Sequence, residues 1–74
     1  MVNSKALLET IEKSGFKKQY IADALGMRGV TLWRKINNVS EFKPSEIVKL
    51  CEILDIHESK VKDRLFFAKT VYSK

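Results

Sequence analysis

The chain has 74 residues, which is one domain, and a fold of this size hides only about 60% of the surface its unfolded chain exposes, so the core is thin and pairing with a second copy would help. With 45% apolar and 31% charged residues the composition excludes a disordered chain, and no apolar run approaches the roughly 18 residues of a membrane span. The net charge of +5 lies wholly between residues 13 and 43, where seven basic side chains meet two acids and the flanks cancel; such a block fits a polyanion, nucleic acid or an anionic membrane surface, as well as it fits an ordinary solvated face.

Five helical patterns follow one another, with no convincing strand. The first covers about residues 4–14. Ser4 is placed as its N-cap, and Leu7, Leu8 and Ile11 share one face. Ser14-Gly15 ends it, and Phe16 is expected to plug the core. The opening MVNSKALLETIEK carries acids and lacks the apolar block of a secretory leader.

A second helix spans about residues 18–25, with Tyr20, Ile21, Ala24 and Leu25 at helical spacing. Gly26 stops it, because glycine takes the left-handed backbone that helix ends often need. The third starts at Arg28 or Gly29 and closes at Ile36 or Asn37. Leu32 and Ile36, four apart, share its inner side. Asn37-Asn38 signals a turn.

A short loop then carries Phe42 as an anchor, and Pro44 suits the first turn of a fourth helix. Ile47, Val48, Leu50, Cys51 and Leu54 give its apolar phase. Cys51 is the single cysteine, which excludes an internal disulfide, reads as a small core residue and fits a reducing cytoplasm. His57 stands alone near the next helix start and reads as a cap or surface residue. A fifth helix begins near Glu58, with Val61, Leu65 and Phe66 in phase. Phe66 is assigned to the core, whereas Phe67 and Tyr72 are dimer candidates on a tail over residues 67–74 that also holds Val71.

The stretch YIADALGMRGVTLWRKI, residues 20–36, asks why one helix stops and another starts at once, loaded with basic and aromatic side chains. A helix enters the DNA major groove, about 12 Å wide, only if something props it clear of the body. A second helix crossing it through a tight turn does so. Ala22 is small where the two meet, Gly26 makes the turn, and Ile21, Leu25, Met27, Leu32 and Ile36 lock the pair. At about 100° per residue, Val30, Trp33, Arg34 and Asn37 then face outward, Gly29 lies at the edge, and Thr31 and Lys35 lie to the side. Arg28 stands at the helix start, free to reach a base or a phosphate. Trp33 has two readings: stacking on sugar and bases, or leaning back on Phe16 or the fourth helix.

This arrangement resembles the helix-turn-helix domain of the Cro and phage-repressor family, the xenobiotic-response-element type. The resemblance rests on Ile21, Ala22, Leu25, Gly26, Met27, Thr31, Leu32 and the closing KINN, extends to FKPSEIVKLCEILDI, and covers about residues 4–67. It implies an all-α, compact five-helix lambda-repressor-like domain over residues 1–74, with the helix-turn-helix at about 18–37. It also implies a sequence-specific transcriptional regulator in the cytoplasm of a bacterial or phage-infected cell. Such a regulator binds double-stranded operator DNA as a homodimer.

Carried over by position, base reading falls on Arg28, Gly29, Val30, Trp33 and Arg34. The helix-start phosphate contact falls near Lys18 and Gln19, and another backbone contact around Asn37, Asn38 and Lys43; Lys17, Thr31 and Lys35 are further phosphate candidates from their own place in the sequence. Gly29 and Val30 stand where the family often has Gln or Ser, so base readout would lean on Arg28 and Arg34, with Val30 against a thymine methyl. Lys18 takes the place of the glutamine that often starts the family's second helix, and Gln19 follows one place later.

The alternative is a protein-interaction module of the same fold that binds and modulates a partner repressor. No enzyme is expected, nor any cofactor or metal. One histidine and one cysteine far apart, with no glycine-rich phosphate loop and no clustered ligands, leave little to build an active site from. Basic residues spread over several short helices also argue against membrane binding.

Overall fold

The computed structural model describes residues 1–68 and contains five helices in that span, with no strand among the described residues: α1 (Ser4–Ser14), α2 (Lys18–Ala24), α3 (Gly29–Ile36), α4 (Pro44–Ile53) and α5 (Ser59–Phe66). The all-α, five-helix plan read from apolar spacing is therefore the observed one. Val71 and Tyr72 lie outside the described residues. None of the described helices is long and apolar enough to cross a membrane.

The core is one cluster drawn from every helix. Leu7, Ile21, Ala22, Leu50 and Leu65 are fully buried, and Ile11, Leu32 and Ile36 nearly so. Phe42 fills the end below α5, meeting Phe66 edge to face at 5.8 Å between ring centroids. Phe66 is core as expected, and Phe67 is 51% exposed.

One apolar expectation fails, and two other apolar side chains stay outside the core for local reasons. Phe16 is no plug: it is 41% exposed and stacks on Tyr20, 54% exposed, with centroids 5.1 Å apart. Tyr20 sits about 200° around α2 from buried Ala22, so the helix that buries one must expose the other. Val48 is 53% exposed, because Ile47, Leu50, Cys51 and Leu54 already fill the inward arc of α4.

How the helices end explains how they pack. Asn3, one place before Ser4, caps α1: its Oδ1 accepts from the Ala6 N–H at 3.1 Å. Ser4 instead donates its hydroxyl to the Ile36 carbonyl at 2.6 Å, tying α1 to the end of α3. At the end of α2, Gly26 takes φ +72°, the Met27 N–H reaches back to the Ala22 carbonyl at 2.9 Å, and the Gly26 N–H reaches that of Asp23 at 3.0 Å. This paired closure turns the chain sharply and delivers it to α3.

The end of α3 has the same closure, with Asn38 at φ +64° in the glycine position and the Val39 N–H on the Arg34 carbonyl at 2.8 Å. Asparagine tolerates that backbone, and its side chain does what glycine cannot. Oδ1 accepts from the Val2 N–H at 2.8 Å and Nδ2 donates to the Val2 carbonyl at 2.9 Å. The Asn3 N–H donates to the Leu65 carbonyl at 2.8 Å. The first three residues thus stitch the end of α3 to α5.

Ala22 is fully buried on α2, and α2 packs directly against α3. Ala22→Leu is expected to cost about 1–3 kcal/mol by overpacking. A thermal melt coinciding with that of the parent would show that no close contact is made there.

Candidate nucleic-acid interface

The α2–turn–α3 unit presents a basic and aromatic surface for reasons that begin in its inner face. Leu32 and Ile36 are each 1% exposed and fix the rotation of α3. That rotation turns Val30, 46% exposed, and Trp33, 59% exposed, outward together with exposed Arg34. Arg28 immediately precedes α3 in extended conformation, φ −83° and ψ 158°, and is exposed. Gly29 opens the helix.

Trp33 does not lean on Phe16, which stacks with Tyr20 instead. It borders a cleft of about 180 Å³ with Leu8, Lys18, Gly29 and Asn37. Lys17, at the N-cap of α2, and Lys18, its first residue, are exposed, as is Lys43 at the N-cap of α4. Thr31 is half-buried at the side of α3.

Three of the expected phosphate contacts are placed differently. Lys35 is buried, and its Nζ donates to Glu46 Oε1 at 2.6 Å. The same Oε1 accepts the Lys43 N–H at 2.9 Å, so one carboxylate oxygen caps α4 and holds α3. This removes Lys35 from the free cations of the surface. Asn38 has both ends of its amide engaged by Val2, which makes it a structural tie rather than a phosphate donor. Asn37 Nδ2 donates to the Trp33 carbonyl at 2.9 Å, closing the last turn of α3.

Burial alone would raise the Glu46 carboxyl, but the Lys35 hydrogen bond, the Lys43 N–H and the charges of both lysines outweigh it. The carboxyl is held below its ordinary value. Elsewhere, exposed His57 pairs with exposed Asp55. No three His, Cys, Asp or Glu side chains come together as metal ligands among the described residues.

Two features of this surface were not foreseen in the sequence. One is the exposed Phe16–Tyr20 stack beside Lys17 and Lys18; the helical angle from Ala22 to Tyr20 would have found it. The other is Gln19, expected at a phosphate, whose amide lies over Gly29 and bonds Asp23. The i to i+4 spacing of Gln19 and Asp23 was the legible half of that arrangement.

No curated protein and no solved structure matches the chain. A family model does match, over residues 3–69, nearly the whole length. The chain thus belongs to the DUF739 family, described as proteins of unknown function.

Proposed function

We propose that this domain is a sequence-specific DNA-binding regulator of the Cro and phage-repressor kind, placing α3 in the major groove of operator DNA. The observation that carries this reading is the division of α3: Leu32 and Ile36 are sealed inside, while Arg34, Trp33 and Val30 stand outside with Arg28 at the helix start. In the groove, the arginines suit guanine O6 and N7, and Val30 suits a thymine methyl. Lys17, Lys18 and Lys43 supply charge toward the sugar-phosphate backbone and set register rather than sequence. The domain acts as a homodimer in the cytoplasm of a bacterial or phage-infected cell, and bound dimers control transcription by occupancy, blocking polymerase or a rival repressor. Exposed Phe67 is a candidate for the dimer contact.

Arg34→Ala is expected to weaken specific binding by about 1–3 kcal/mol and to relax preference at one base pair. Lys17→Ala or Lys18→Ala should weaken binding on all sequences alike and flatten the slope of log K against log salt by about one. Titration of a random duplex and a selected duplex across salt concentration measures both effects.

A second reading is a module that binds a partner repressor. It is favoured by the apolar share of the same surface, Val30 and Trp33 beside side-chain-free Gly29. A flat salt slope on DNA, with binding to a partner protein, would replace the first reading by this one.

A further inference from the structure

Gly29 and Val30 leave the first two positions of α3 without a polar side chain, yet the space over Gly29 is filled. A Cβ built on Gly29 would come within 3.2 Å of Gln19 Oε1 and meets nothing else. The Gln19 amide, carried by α2, therefore sits where a side chain at position 29 would begin. Its Nε2 donates one hydrogen to Asp23 Oδ1 at 2.8 Å, one helical turn along α2.

We propose that Gln19 is a specificity-determining residue that reads adenine, and that Asp23 is the positioning residue that orients its amide. This inference rests on the DNA-binding reading of α3. A primary amide carries two N–H donors and a carbonyl. Asp23 engages one donor; the second remains, and among the described residues the carbonyl accepts no hydrogen bond. A free N–H beside a free C=O is the complement of the adenine edge in the major groove, where N7 accepts and N6–H₂ donates. Guanine offers two acceptors there and would set its O6 against the carbonyl.

Asp23 decides which way the amide points. Flipped, the Gln19 carbonyl would face the Asp23 carboxylate, and two acceptors repel. This accounts for a carboxylate in a surface that otherwise favours polyanions: Asp23 is one of only two acids between residues 13 and 43. Its repulsion of phosphate is offset by a fixed donor–acceptor order on Gln19. Gly29 completes the device, since a Cβ there would come within 3.2 Å of the amide oxygen and push it aside by a few tenths of an ångström.

The test is selection of bound duplexes from a random pool by the full chain and by Gln19→Ala, Asp23→Asn and Gly29→Ala, with a thermal melt of each. Gln19, Asp23 and Gly29 lie outside the core, and the melts are expected to show all three variants folded. The parent should enrich a motif with adenine fixed at one position per half-site. Gln19→Ala should lower that preference by roughly five- to 150-fold, the range a good bidentate contact supplies, and leave the other positions unchanged. Asp23→Asn should blunt it with Gln19 still present. Gly29→Ala should disturb the same position by pushing the amide aside.

If the parent enriches a motif and Gln19→Ala alters no position, or weakens all sequences equally as a phosphate contact would, this inference is overturned while DNA reading stands. If the parent enriches nothing, DNA reading falls and this inference with it.

Discussion

Leu32→Ala is expected to remove about 2–5 kcal/mol of folding stability. A domain of this length has roughly 4–11 kcal/mol in all, at about 0.05–0.15 kcal/mol per residue. Leu32 is 1% exposed in the core cluster, so truncation loses its transfer energy and leaves a cavity that the surrounding core closes only in part. The neighbouring truncation, Trp33→Ala, removes a larger side chain that is 59% exposed and should change stability far less. Urea unfolding of the two variants decides the matter: a midpoint well below the parent's for Leu32→Ala, with an unchanged m-value, and one close to it for Trp33→Ala. The reverse order would mean that α3 is rotated about its axis from the orientation described.

Removing Glu46 should be nearly as costly. Its Oε1 holds both Lys35 Nζ and the Lys43 N–H, so Glu46→Ala strands an ammonium whose side chain is 11% exposed and uncaps α4 in one step. Breaking a wholly buried pair costs about 3–5 kcal/mol; water reaches part of this one, and about 2–3 kcal/mol is expected. Lys35→Met should be much milder, because it leaves no unpaired charge inside, and the double variant should recover most of the loss.

The pair also fixes a pH dependence. The folded carboxyl sits below its unfolded value near 4.5. Its contribution is therefore complete above that value and is lost as pH falls through the lower folded value. The stability gap between the parent and Glu46→Gln should close as the solution is acidified below about pH 4.5. A gap that stayed constant to pH 2 would mean the carboxylate is not what the lysine holds.

Helix positions were legible because each depends on neighbours in the chain. Apolar spacing, Gly26 and Pro44 set the bounds of α1 to α4 within a residue or so, and Leu32 with Ile36 set the outward face of α3. What escaped depends on partners far along the chain. Lys35 reads as a free cation until the loop after α3 brings Glu46 to it, eleven residues on. Asn38 reads as a turn residue, and it is one, but its amide finds Val2, 36 residues away. Phe16 was misread for another reason. Apolar character was taken as burial, although a chain this short has too little interior for every aromatic ring, and the rings of Phe16 and Tyr20 shield each other outside it.

The lone thiol gives this molecule a built-in clock. Cys51 is 7% exposed within α4; burial pushes its pKa up, and the Lys62 ammonium draws it only partly back. An alkylating reagent attacks thiolate, so the folded chain presents it with almost no target. Modification then waits for α4 to open from the core. Its rate counts those excursions under native conditions, in a chain with no engineered label.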